Sequence, residues 1–90
     1  MTYYLNPDFS YAVDIQDIKL IDNSNGKLIT LSYPEAAIFD LLIKQHPHKT
    51  MIRMLSKIGL MTDSHAENLI GDTIDLLVQN HVLMLEQSHG

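Results

Sequence analysis

The side chains best suited to hold a metal ion or move a proton are the five histidines of this 90-residue chain. His46 and His48 flank Pro47, His65 and His81 stand at opposite ends of one predicted helix, and His89 lies in the tail. A helical metal pair needs ligands four residues apart on one face, and no two of these histidines have that spacing. The chain has no cysteine, so it offers no thiolate nucleophile. It also lacks a Gly-x-Ser-x-Gly elbow, a phosphate-cradling glycine loop and a dinucleotide fingerprint. Catalysis is therefore not expected, nor is a metal or cofactor, and the histidines read as surface and loop residues.

That leaves recognition, and charge narrows what is recognised. The net charge is −5, whereas holding nucleic acid needs clustered Lys and Arg. Residues 1–40 carry six acids and two bases, and residues 63–90 carry five acids and no base. Between them, Lys44, Lys49, Arg53 and Lys57 stand with no acid over 41–62. Helices two and three below have the order of a helix-turn-helix, which would allow a DNA-binding regulator. The would-be recognition helix, however, exposes Glu67, Asp72 and Asp75 and would repel phosphate.

The elements that position these groups follow from period and punctuation. Asn6-Pro7-Asp8 reads as a turn and Ser10–Val13 as a first strand. Residues 18–31 form a hairpin: Ile18-Lys19-Leu20-Ile21, a four-residue loop at 23–26 with Asn25-Gly26, then Leu28-Ile29-Thr30-Leu31. That loop sets Asp22 opposite Lys27. It puts Ile18, Leu20, Ile29 and Leu31 on one face and Lys19, Ile21, Leu28 and Thr30 on the other. Ser32-Tyr33-Pro34-Glu35 has capping-box spacing and opens a helix reaching about Gln45. A second helix runs from about Thr50 to Ile58, with Met51, Met54, Leu55 and Ile58 inward, Lys49, Arg53 and Lys57 outward, and Gly59 ending it. Ser64-His65-Ala66-Glu67 is a second capping box, opening a third helix to about Gln79. Val82 to Leu85 either returns as a strand or lies across the core, and Glu86 to Gly90 reads as a frayed tail. The predicted fold is α+β and winged-helix-like: an N-terminal three-stranded antiparallel sheet, including the hairpin 18–31, followed by three helices.

Length and composition fit one domain over residues 1–90, 46% hydrophobic and 19% charged. Met1 to Asn6 lacks the basic start and apolar run of a secretion signal, and no apolar stretch is long enough to cross a bilayer. A soluble protein in a reducing, cytoplasmic setting is expected.

Two features point to a peptide site. The outward hairpin face carries Ile21 and Leu28, and an exposed strand edge is a template for another chain, unless Tyr3, Tyr4 and Phe9 cover that face. Gly71, mid-helix, costs about 1 kcal/mol relative to Ala, which a close approach of backbone would explain, from inside the monomer or outside it. Lys49, Arg53 and Lys57 read as a solvated face or as the contact for an acidic partner. A winged-helix adaptor that dimerises is a second reading, with a homodimer as its partner state.

The stretches Ile18 to Ile21, Gly26 to Leu42 and Ile74 to Leu83 resemble the pyrroloquinoline quinone biosynthesis protein D (PqqD-like) family, the peptide chaperones and recognition elements of ribosomally made, modified peptides. The shared pattern is a strand with a glycine turn, a helix opening after it, and a last helix running into an apolar end. Gln45-His46-Pro47-His48 replaces the family's acidic-glycine step, and His81 stands where glycine is usual. The resemblance implies a non-catalytic module in which a precursor leader peptide adds as a strand to the hairpin's second strand, beside the third helix. The peptide is then presented to a modifying enzyme such as a radical S-adenosylmethionine protein. The residues carried over are Lys27, Leu28, Ile29, Thr30 and Leu31 on the strand, with Asn68, Gly71, Asp72, Asp75 and Leu76 as groove wall.

Overall fold

A computed structural model describes residues 2–86; Met1 and the predicted tail beyond Glu86, with His89, lie outside the described residues. The order is β1 (Thr2–Leu5), β2 (Phe9–Val13), β3 (Ile18–Asp22), β4 (Leu28–Leu31), α1 (Glu35–Ile43), α2 (His48–Ile58), α3 (Asp63–Gln79) and β5 (Leu83–Glu86). Strands β2, β3 and β4 form an antiparallel sheet in that order, and β1 pairs with β5 in a second, two-stranded sheet. The fold is α+β, with a three-stranded antiparallel sheet and three helices. No helix among the described residues is long and apolar enough to cross a membrane.

The β3–β4 register is the one the turn chemistry predicts: Ile18 opposite Leu31, Leu20 opposite Ile29, Ile21 opposite Leu28. Its inner face buries Phe9, Ile18, Leu20 and Leu31 in one core with Ile38 and Phe39 of α1, which are fully buried. Tyr11 meets Phe39 edge to face, with ring centroids 5.4 Å apart. Met51, Leu55, Ile70, Leu77 and Val82 complete the core.

The N-terminal aromatics do not cover the outer hairpin face. Phe9 turns into the core, and Tyr3 and Tyr4 lie in β1 opposite Leu85 and Met84. Ile21 and Leu28 are left 39% and 55% exposed. Strand β1 itself has no local signal, because its partner lies at the far end of the chain.

The helix starts are displaced from the predicted boxes. Helix α1 is capped at Pro34 without a side-chain bond; Ser32 contributes its carbonyl, which accepts from the Ala36 N–H at 2.8 Å. For α3 the cap is Thr62, whose hydroxyl accepts from the His65 N–H at 3.1 Å. Thr62 is the last extended residue, so Ser64 is already helical and cannot cap. Helix α2 begins at His48, directly after the extended Pro47, earlier than Thr50. Ile58 is 65% exposed rather than inward, because the last turn of α2 runs past the core.

All three helices end alike. A left-handed residue, Gln45, Leu60 or His81, follows each helix, and the next N–H bonds back five residues: His46 to Leu41, Met61 to Ser56, Val82 to Leu77. This is the Schellman arrangement, with glycine's usual place taken by a side chain. His81, where the resemblance expects glycine, adopts the glycine conformation with φ 63°. Gly59 does not supply the left-handed residue after α2; Leu60 does. A Cβ at Gly59 would instead meet the ends of the Met61 and Tyr33 side chains, which would have to shift to admit it.

Leu60 combines φ 51° with 93% exposure, so burial does not offset its backbone cost. Leu60→Gly should stabilise the protein by about 1 kcal/mol. In a calorimetric melt of a domain this size that is a rise in Tm of about 4–8 °C; an unchanged or lower Tm would contradict the assignment.

Candidate functional site

The hairpin turn is built to hold one register. The Asp22 carboxylate accepts from the Ser24 N–H at 2.9 Å and the Ser24 hydroxyl at 2.6 Å, and the Asn25 side chain accepts from the Lys27 N–H at 2.8 Å. Gly26, at φ 74°, turns the chain so that its N–H reaches the Asp22 carbonyl at 2.7 Å. The Asp22 N–H then donates to the Lys27 carbonyl at 2.9 Å.

This last bond decides which main-chain groups β4 leaves free. In an antiparallel pair, hydrogen-bonded and non-bonded positions alternate. With Asp22 and Lys27 bonded, the pairs Leu20–Ile29 and Ile18–Leu31 turn their groups toward each other. Leu28 and Thr30 therefore aim N–H and C=O away from β3, along an edge that pairs with no other described strand. The side chains of Lys27, Ile29 and Leu31 point to the helical side of the sheet, and Leu28 and Thr30 point to the outer face.

Beside this edge a cavity of about 230 Å³ lies between the hairpin and the end of α3, lined by Phe9, Lys27, Ile29, Asn80 and His81 among others. Asn80 is fixed by its side-chain N–H bond to the Leu76 carbonyl at 2.8 Å, and the His81 carbonyl accepts from the Asn6 side chain at 2.8 Å. At 3.6 residues per turn, His65, Leu69, Asp72, Leu76 and Asn80 form one stripe along α3. Asn80 brings the C-terminal end of that stripe to the hairpin, and Leu76, 44% exposed, stands one turn above it.

The structure thus divides the predicted site. Lys27 and Ile29 line the groove with Gln79, Asn80 and His81, Leu28 and Thr30 lie along the edge, and Asp72 and Leu76 lie with Leu69 on the stripe of α3 that ends at Asn80. The spacing of four and seven residues to Leu76 was a signal for Asn80 and Leu69. Gly71 lies roughly half a turn round α3 from Asn80, on a second stripe with Glu67, Ile74 and Val78. Ile74 turns that stripe toward α2, lining a cavity with Met51, His46 and His48. Asn68 and Asp75 lie between the two stripes, on the outermost side and exposed. Lys49, Arg53 and Lys57 are exposed along α2, apart from the groove. No group of three or more metal-binding side chains occurs among the described residues.

The Asp22 carboxyl is held below its ordinary value of 3.8, first by the Ser24 hydroxyl, then by the Ser24 N–H, with a smaller contribution from the Lys27 charge. A lowered folded pKa contributes stability that is complete above the ordinary value and is lost as pH falls through the folded one. The Ser24 amide resonance should titrate with a midpoint below 3.8; a midpoint at or above that value would show that the turn bonds do not form.

No protein-family model matches the chain, and no curated protein matches it. Two solved structures share its fold. "Lasso peptide synthetase B1 complexed with the leader peptide" superposes with a TM-score of 0.87 at 21% identity, covering 94% of this chain and 100% of that one. "TbiB1 in Complex with the TbiA(beta) Leader Peptide" gives 0.83 at 14% identity, covering 98% and 100%.

Proposed function

We propose that this chain is a non-catalytic recognition element that captures the leader segment of a ribosomally made precursor peptide and presents it to a modifying enzyme. The observation that carries the reading is the β4 edge, where Leu28 and Thr30 offer main-chain donors and acceptors beside a groove lined by Ile29, Asn80 and His81. A peptide entering as a fourth strand takes affinity from those groups and selectivity from the side chains it turns toward Ile29 and α3. The fold shared with two leader-peptide complexes supports this use. So does the acidic outer side of α3, which disfavours phosphate and leaves an extended peptide as the better ligand.

The residues assigned to the peptide are Lys27 to Leu31 on the strand, with Leu69, Asp72, Leu76 and Asn80 on the helix. Thr30→Pro is the direct test, since its N–H is not used within the β3–β4 ladder and proline is tolerated on an edge whose N–H faces outward. The variant should fold and lose one hydrogen bond to the ligand, worth about 1 kcal/mol or roughly fivefold in Kd. Ile29→Pro should instead unfold the hairpin, because it removes a ladder bond. The probe is a labelled synthetic leader peptide, that of TbiA(beta) being the first to try, titrated by fluorescence anisotropy. Leu76→Asp should weaken binding about tenfold or more, whereas Gly71→Leu, on the other side of α3, should not. Full affinity in folded Thr30→Pro and Leu76→Asp would remove the peptide from this groove.

A further inference from the structure

Gly71 and the cations of α2 are left unexplained by the groove. Gly71 is exposed in the middle of α3, and a Cβ placed there would meet nothing within 4 Å. Close packing inside the monomer therefore does not account for a residue that weakens a helix. Glu67 and Asp75 stand four residues before and after it, so the ridge Glu67-Gly71-Asp75 is acidic at both ends and bare in the middle. On α2 the ridge Lys49-Arg53-Lys57 has the same spacing and the opposite charge, and all three side chains are exposed. Both ridges span roughly 12 Å. Although α2 and α3 pack side by side, neither ridge neutralises the other: the ion pair among the described residues is Lys44 with Asp40.

We propose that the outer α2–α3 surface binds a second copy of this chain about a twofold axis. The basic ridge of each α2 lies against the acidic ridge of the other copy's α3, and Gly71 lets the two helices approach closely. A surface that carries both signs on adjacent helices is self-complementary under a twofold rotation, since α2 meets α3 of the copy and α3 meets α2. Ridges spaced by four are also the commonest to interlock between helices. The net charge of −5 on each copy opposes approach at long range. Beyond about 8 Å, however, physiological salt screens that repulsion, and at contact the opposed ridges dominate. The groove stripe lies on the other flank of α3, so the pairing leaves the β4 edge open and does not rest on the peptide reading.

Sedimentation equilibrium on the full chain tests this. The wild type should show a reversible monomer–dimer equilibrium whose Kd rises with salt. Arg53→Glu should raise that Kd about tenfold, and Gly71→Leu should raise it while leaving thermal stability equal or higher. The decisive arm uses two multiply substituted chains, each checked for folding by circular dichroism. One carries Lys49→Glu, Arg53→Glu and Lys57→Glu; the other carries Glu67→Lys and Asp75→Lys. Each alone should be monomeric, and mixed at low salt they should form a one-to-one dimer. A wild type that stays monomeric at all concentrations, grows into open-ended oligomers, or dimerises unchanged in the folded charge variants would overturn the proposal, as would failure of the mixture to associate.

Discussion

The hydrogen bond from the Asp22 N–H to the Lys27 carbonyl fixes more of this molecule than any other single contact. Because ladder bonds alternate, one bonded pair at the turn decides which residues of β4 spend their main-chain groups on β3 and which keep them. It also decides which side chains enter the core: slipping the register by one residue would send Leu31 out and Thr30 in. The cluster of Asp22, Ser24, Asn25 and Gly26 is therefore what sets both the sheet's packing onto α1 and the polarity of its free edge.

The parts of the fold legible in the sequence are those governed by neighbours. The hairpin register followed from a four-residue loop and an alternation of apolar residues, and the helices from their period. The caps were less legible, because Ser-x-x-Glu occurs by chance wherever a helix begins near a serine. Which residue is the last extended one is settled by the incoming chain, as Thr62 shows. Strand β1 was not legible at all: Tyr3 and Tyr4 gain their partners from Leu85 and Met84, at the other end of the chain. The same reason separates the candidate residues of α3. The sequence says that Leu76 and Gly71 share a helix, and only the placement of β4 and α2 says that they face different neighbours.

Charge and shape act on different scales here. The acidic α3 and the basic α2 govern what approaches the molecule, through interactions that salt weakens. In the proposed complex the β4 edge holds the peptide through directed bonds between main-chain groups, with Leu69 and Leu76 as the proposed apolar contacts. Main-chain groups are common to every peptide, so in that proposed complex discrimination falls to the side chains of Ile29 and Asn80 in the groove and Leu76 on the adjoining stripe.

The pairing of β1 with β5 closes a loop of nearly the whole chain, which makes it the entropically costliest contact in the fold. A two-stranded ribbon is marginal by itself, and this one is tied down where the Asn6 N–H meets the Val82 carbonyl at 2.8 Å and the Asn6 side chain meets His81. The hairpin and helices, built from local contacts, are the parts that fold early. The termini are consequently expected to assemble last and to open first. Their opening need not disturb the register of β3 and β4, so loss of the terminal ribbon and loss of the edge strand are separable events, with separate free energies in hydrogen exchange.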